Sequence, residues 1–294
     1  MTKIDIIIYK IKIAKINNMA NIIKCLHRHD IEGKKFTRKY LNDTIYVEVI
    51  NGENNKFKHI RIPKDTIQID DCAFYYRMNL KSIIIPYSVE VIGSKAFSGC
   101  EELSEINIPS TVKYIGMGAF NYCIKLPSII IPDGIEAILN GTFYHCHNLH
   151  SISIPKSVTK IGANAFAYCH KLINVELPTG LRCINQYMFR DCYKLTSVNI
   201  PASVTLIGYR SFQNCHNLEN IEIPDSVKYI DNGAFYCCNS LESVVIPNSV
   251  LEIRGYAFFN CKNIKKITIP KCFRMRVMKI FKNVDLRKVD IIYT

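Results

Sequence analysis

Proline recurs in this chain at one fixed interval, and that interval constrains the possible folds more than any other feature. Ten of the eleven prolines follow a constant 23-residue spacing: Pro63, Pro86, Pro109, Pro132, Pro155, Pro178, Pro201, Pro224, Pro247 and Pro270. An interval of roughly 20–29 residues is typical of stacked supersecondary units. The sequence therefore predicts a repeat protein with one elongated domain.

Phenylalanine and cysteine keep the same 23-residue period. The phenylalanines are Phe74, Phe97, Phe120, Phe143, Phe166, Phe189, Phe212, Phe235, Phe258 and Phe281. Eight of the thirteen cysteines follow them: Cys100, Cys123, Cys146, Cys169, Cys192, Cys215, Cys238 and Cys261. Because equivalent residues of stacked units lie above one another, these positions predict a Phe ladder and a Cys ladder.

Each repeat contains the signals of a short strand followed by a turn. Residues 106–108 alternate apolar, polar and apolar, which predicts a strand with two side chains facing inward. Pro109 ends this strand, since proline has no N–H for a further ladder bond. We expect Gly116 at a bend where φ is positive, and Ala119 and Phe120 in one short helical or 3₁₀ turn.

The repeat L-x-x-I-x-I-P-x-S-V-x-x-I-G-x-x-A-F-x-x-C resembles the BspA-type leucine-rich repeat over about residues 57–270, and residues 149–169 are a near-ideal copy. The resemblance implies an α/β right-handed solenoid of about nine to ten repeats. It places one parallel sheet on the concave face, with short turns, 3₁₀ or helical stubs and short strands opposite. Some members of the family resemble surface adhesion or host-binding proteins.

The two ends depart from the repeat, as terminal caps should. We assign residues 1–56 to an N-terminal cap or appendage, 57–270 to the solenoid and 271–294 to a C-terminal cap. Within the N-terminal part, the pattern predicts a helix around Ile22–His29 and a strand around Thr44–Ile50.

The net charge of +13 is concentrated at the ends of the chain. Residues 1–50 and 271–294 each carry +5, whereas the long stretch between them carries only +3. This distribution argues against a nucleic-acid groove along the repeats.

The apolar stretch from Ile4 to Ala14 is interrupted by Asp5, Lys10 and Lys12, so neither a spanning helix nor a signal peptide is expected. We expect a cytoplasmic monomer.

Catalytic and metal-binding motifs have little support in the sequence. The chain has no G-x-S-x-G, no H-E-x-x-H and no Gly-rich phosphate loop, so we expect no enzyme activity and no cofactor.

Cysteines one repeat apart do not form a zinc knuckle, and we expect buried thiols. His147 and His170 should lie on adjacent coils, but we expect solvated surface histidines rather than a metal site. A turn role accounts for Ser157 and its equivalents.

The outward-facing strand positions are the best candidates for a binding site. One set varies in size and charge, as a recognition surface on a regular scaffold should, and we call it the concave column: Ile84, Asn107, Ile130, Ser153, Glu176, Asn199, Glu222 and Val245. Beside it runs a second column: Ser82, Glu105, Ser128, Ser151, Asn174, Ser197, Asn220, Ser243 and Lys266.

These columns predict a non-catalytic scaffold that binds a protein partner on the concave sheet. Two alternatives remain open: a binder of nucleic acid or acidic surfaces through the basic termini, and an adhesin-like surface protein. A rival surface, the aromatic edge, lies opposite: Tyr122, Tyr144, His145, Tyr168, Arg190, Tyr193, Lys194 and Tyr236. Tyrosine and arginine are enriched in binding hot spots.

Overall fold

The computed structural model describes residues 58–294 together with two N-terminal strands, Ile8–Lys12 and Thr44–Val49. The strand predicted around residues 44–50 is confirmed. It pairs antiparallel with Ile8–Lys12 on one side and with the first strand of the repeats on the other. The helix predicted around residues 22–29 lies outside the described residues.

The repeats form a parallel-strand solenoid, as predicted, with two strands in most coils. The first series, which we call the concave strands, comprises His59–Arg61, Ser82–Ile84, Glu105–Asn107, Ser128–Ile130, Ser151–Ser153, Asn174–Glu176, Ser197–Asn199, Ser243–Val245 and Lys266–Ile269. The second series comprises Gln68–Ile69, Val91–Ile92, Tyr114–Ile115, Ala137–Ile138, Lys160–Ile161, Cys183–Ile184, Leu206–Ile207, Tyr229–Ile230 and Glu252–Ile253.

The concave strands do not form one continuous hydrogen-bonded sheet, which differs from the single sheet we expected. Pairing is interrupted after Glu105–Asn107, after Ser151–Ser153 and between Glu222 and Val245, where Glu222 keeps only an isolated bridge to Asn199. A three-residue strand can share only a few ladder bonds with its neighbour. The buried columns beneath the strands continue across these gaps, so side-chain stacking keeps the coils in register there.

The predicted Phe ladder is confirmed as the centre of the core. Ten rings stack from Phe74 to Phe281 with centroids 4.9–5.8 Å apart and nearly parallel planes. The rings from Phe97 to Phe258 are completely buried. Ile, Val and Leu columns surround them, so each coil buries its apolar side only against its neighbours.

The segment after each second strand contains single turns and no continuous helix, and the 3₁₀-type turn expected at Ala119 and Phe120 is confirmed by a bond between residues three apart. The N–H of Ala119 bonds within its own coil to Gly116, whereas the N–H of Phe120 bonds to Thr142 of the next coil. Because backbone groups alternate between the two kinds of partner, no helical ladder can build up.

Two residues per coil adopt positive φ, which also interrupts any helix in this segment. The earlier position holds Cys72, Lys95, Gly118, Gly141, Asn164, Tyr187, Arg210, Gly233 and Tyr256. The later position, directly before the Cys ladder, holds Tyr76, Gly99, Tyr122, His145, Tyr168, Asp191, Asn214, Cys237, Asn260 and Asn283. Asparagine, aspartate and glycine tolerate this conformation best, and they occupy half of the later position.

The reason expected for Gly116 was wrong. Its φ is not positive, but a Cβ at this position would collide with the backbone nitrogen of Ser94 in the preceding coil. Close packing of successive coils therefore excludes a side chain here.

The last coil closes the solenoid with helical segments. A 3₁₀ helix spans Lys271–Arg276, an α-helix spans Val277–Ile280, and a second 3₁₀ helix spans Leu286–Lys288. The strand Asp290–Tyr293 then pairs parallel to Lys266–Ile269. The guanidinium of Arg276 donates a hydrogen bond of 2.7 Å to the carbonyl of Ile253. Glu252–Ile253 is the last strand of the second series, so this carbonyl has no further strand to bond to, and Arg276 supplies the donor instead.

Candidate functional site

Every residue of the concave column is exposed, whereas the strand residue that precedes each one faces inward. Ile130 is 68% exposed, Val245 is 56% exposed and Ile84 is 52% exposed. The alternation follows from strand geometry, since successive side chains point to opposite faces. The structure thus brings the eight predicted residues together as one line across the coils.

The polar members of the concave column are not engaged by the rest of the chain. The side chains of Asn107, Ser153, Glu176, Asn199 and Glu222 make no hydrogen bond or ion pair with any residue the structure describes. Because these side chains are exposed, their donors and acceptors are accessible to a ligand without the loss of a bond within the chain.

The concave face deepens into a groove of about 600 Å³ near its C-terminal end. Glu222, Val245 and Thr268 contribute neighbouring positions of the column line, and Asn220 and Ser243 contribute the second column. The groove lies where the pairing between Glu222 and Val245 is missing. Its far rim was not anticipated from the sequence: Pro224, Asp225, Pro247, Asn248 and Thr294.

The aromatic edge is organised differently, because its side chains contact one another. The His145 ring lies between Tyr122 and Tyr168, with ring centroids 4.4 Å and 4.1 Å away. A second row stacks His147 on His170 at 4.4 Å, and His170 on Tyr193 at 4.6 Å. The expectation of solvated surface histidines was therefore wrong in part, because His147 and His170 are half-buried and stacking on rings of adjacent coils shields one face of each imidazole from water.

Burial in these stacks changes the acid–base behaviour of the histidines. Desolvation, assisted by the neighbouring His147 and His170, lowers the pKa of His145 to about 4. Desolvation also lowers the pKa of His147 and of His170. All three imidazoles are consequently neutral at physiological pH.

Asp191 is the feature of this edge that sequence reasoning missed. Its carboxylate is 4% exposed, accepts a hydrogen bond of 3.0 Å from Nε of Arg190 and accepts another of 2.7 Å from Nδ2 of Asn214. The guanidinium of Arg190 also lies 5.3 Å from the ring centroids of both Tyr168 and Tyr187. Asp191 is the single acid at a repeat position otherwise held by tyrosine, histidine, asparagine, glycine and cysteine, and this exception is the signal that could have revealed it.

The Cys ladder is buried as predicted, and it has a bonding role that the spacing did not show. Each of the eight ladder thiols donates a hydrogen bond of 3.1–3.3 Å to a phenylalanine carbonyl of the preceding coil. Burial raises the pKa of Cys100 and of Cys146 to about 12, so these thiols stay protonated. Cys237 is half-buried and Cys238 fully buried, so their side chains point to different sides, as expected.

The serine column also has the structural role that we predicted. The hydroxyls of Ser157, Ser203, Ser226 and Ser249 donate hydrogen bonds of 2.6–3.0 Å to carbonyls of the preceding coil.

Over residues 58–294, no three His, Cys, Asp or Glu side chains are grouped so that they could hold a metal ion. In the same part of the chain, no helix is both long and apolar enough to cross a bilayer.

These features define a leucine-rich-repeat solenoid with a polar, unengaged concave face. The model of the BspA type leucine rich repeat region matches residues 51–173 and 159–287, and the chain belongs to this family. No curated protein matches the chain significantly.

Two solved structures of bacterial leucine-rich repeat proteins share the fold, namely those from T. pallidum and Eubacterium ventriosum. The leucine-rich repeat protein of T. pallidum is 28% identical, covers 55% of this chain and 78% of its own, and superposes with a TM-score of 0.52. A leucine-rich repeat protein from Eubacterium ventriosum is 25% identical, with coverage of 70% and 64% and a TM-score of 0.55. A leucine rich cell surface protein from Faecalibacterium prausnitzii is 26% identical, with coverage of 80% and 78% and a TM-score of 0.44.

Proposed function

We propose that this chain is a non-catalytic scaffold that binds a protein partner on its concave face. The observation that carries the proposal is the concave column, in which eight exposed positions vary in chemistry while their polar members have no partner within the described chain. In contrast, the residues on either side of each column position are buried in the core or pack against it. Extended surfaces of this kind suit partners that contact several repeats at once.

The exposed apolar members support a protein ligand in particular. Ile84, Ile130 and Val245 lie on three separate coils among polar neighbours, so they can act as anchors spread along one interface. Isolated exposed apolar residues are common on protein surfaces, and it is their alignment in one column that supports binding.

Site-specific cross-linking tests the proposal directly. A photoreactive benzoyl-phenylalanine replaces Ser153 in the concave column, and a matched protein carries it at Lys160, which is exposed in the second strand series. We expect cross-links to a defined protein only from position 153, and their loss when Glu176→Lys and Glu222→Lys are added. Equal cross-linking from both positions, or recovery only of nucleic acid that salt removes, would contradict the proposal.

A further inference from the structure

The concave face has a charge opposite to that of the whole protein. Its two columns contain sixteen outward positions between Ser82 and Val245, and none of them is Lys or Arg. Three are carboxylates, namely Glu105, Glu176 and Glu222, and all three are exposed. A protein with a net charge of +13 thus presents an acidic strip along its sheet.

These carboxylates are also unpaired, unlike many acids elsewhere in the described residues. Acids that form ion pairs there all lie off the concave strands: Glu90, Glu102, Asp191, Asp231, Glu242, Glu252 and Asp285. Glu105, Glu176 and Glu222 have no such partner among residues 58–294. Although the chain has more basic than acidic residues, no described basic side chain pairs with these three carboxylates, so they are available to a cationic group of a partner.

We propose that the concave face binds an extended segment of a partner protein that carries lysine or arginine. This inference rests on the proposed function and specifies the chemistry of the partner. Charge complementarity favours a cationic ligand, and it opposes nucleic acid or an acidic surface on this face. Lysine and arginine gain charge-assisted hydrogen bonds to carboxylates that have no competing partner.

The spacing of the acids sets the spacing of the cations. Glu176 and Glu222 occupy the same column two coils apart, or about 10 Å at the usual separation of roughly 4.8 Å between strands. A peptide in the polyproline II conformation advances about 3.1 Å per residue with three residues per turn, so side chains three positions apart lie on the same face, about 9 Å from each other. Basic side chains at every third position of the ligand would meet both carboxylates.

The rest of the column adds an apolar position to this pattern. Ile130 lies two coils on the other side of Glu176, and Val245 follows Glu222 by one coil in the groove. A ligand with a large apolar residue three positions from its first lysine would therefore cover Ile130.

Basic residues mark the limits of the acidic strip. Arg61 and Lys266 occupy the concave strands at the two ends of the face. Lys171 and Lys194 are exposed in the segments that lead into the strands of Glu176 and Asn199. These cations would repel a basic ligand that strayed from the column, so they favour one track along it.

Fluorescence anisotropy with the full chain tests the inference. The probe is a fluorescein-labelled peptide with one leucine, then lysine at every third position and serine elsewhere. Comparison peptides have the same composition with adjacent lysines, or glutamate in place of lysine. The test variant is Glu176→Gln with Glu222→Gln. The matched control is Asp65→Asn with Glu136→Gln, which removes two exposed, unpaired acids off the concave strands.

We expect the test variant to bind the spaced-lysine peptide about tenfold more weakly than the wild type, because two exposed charge pairs are lost. The control variant should bind like the wild type, and the glutamate peptide should not bind. Equal weakening of both variants would show a response to net charge alone and would overturn the inference. Unchanged binding by the test variant, or no binding of any lysine peptide, would overturn it as well.

The failure of this inference is distinguishable from failure of the proposed function. If the cross-link from position 153 to a protein persists while the lysine peptides fail, the concave face binds a partner of different chemistry. If Ile84→Ser with Ile130→Ser abolishes that cross-link and Glu176→Gln with Glu222→Gln does not, the apolar anchors carry the binding instead.

Discussion

The concave face and the aromatic edge are built on the same 23-residue repeat, yet their side chains have different kinds of partner. On the aromatic edge, rings stack on rings and Asp191 holds both Arg190 and Asn214. On the concave column, no polar side chain bonds to another described residue. The edge therefore contributes to the stability of the solenoid, and the concave face remains available for binding.

The largest difference should follow from removing one acid from each region. Asp191→Asn, which keeps a residue that tolerates the positive φ of 59° at this position, leaves a partly buried guanidinium without its anionic acceptor, and we expect a loss of about 2 kcal/mol in the free energy of unfolding. Glu176→Ala removes an exposed, unpaired carboxylate and should change stability by less than about 0.5 kcal/mol. Urea unfolding followed by circular dichroism measures both. Equal effects would remove the distinction between the two regions.

A smaller loss is expected from the Cys ladder beneath the aromatic edge. Cys169→Ala removes the thiol that donates to the carbonyl of Phe143 and leaves a small void, which should cost roughly 1–2 kcal/mol. Cys272→Ala, at an exposed cysteine outside the ladder, should have no measurable effect in the same urea titration. If the two variants unfold at the same urea concentration, the ladder thiols contribute no net stability.

The aromatic edge should also make stability depend on pH. The unfolded imidazole takes up a proton near pH 6.5, whereas His145 in the folded chain, with its pKa lowered, does so only near pH 4. Between these values the unfolded state binds more protons, so stability is full above pH 6.5 and falls as the pH is lowered towards 4. Because the group is partly exposed, the effect should be modest.

His145→Asn is the matched variant for this pH dependence, since asparagine tolerates the positive φ of 61° at this position. Thermal unfolding between pH 7 and pH 4 should give a shallower decline for the variant than for the wild type. His147 and His170 would keep part of the slope, because their pKa values are lowered too. Identical slopes for the two proteins would show that protonation of His145 does not contribute to the pH dependence of stability.

The double variant designed to weaken peptide binding should have the smallest effect on stability. Glu176→Gln with Glu222→Gln should unfold within about 0.5 kcal/mol of the wild type, because neither carboxylate has a partner to lose. Urea titration of the same preparation used for peptide binding provides the measurement. A large destabilisation would show that the concave column supports the fold and would weaken its assignment as a binding surface.

Periodicity along the chain was sufficient to predict the solenoid, the two ladders and the line of outward residues. Pro109, Phe120 and Cys123 each recur once per repeat, and identical positions in stacked coils must meet. Strand alternation then predicts which neighbours of each inward-facing strand residue point outward, and the exposure of all eight residues of the concave column confirms that direction.

Which polar side chains are bonded to other residues of the chain was decided by the tertiary structure alone. Asp191, Arg190 and Asn214 are brought together by side-chain directions that the left-handed position at Asp191 helps to set, and a periodic pattern carries no such directions. The turn conformation around Ala119 depends on hydrogen bonds between coils, which local propensity cannot report. The lack of partners for Glu176 and Glu222 likewise emerges only when the whole neighbourhood is assembled, because pairing depends on distance in space rather than along the chain.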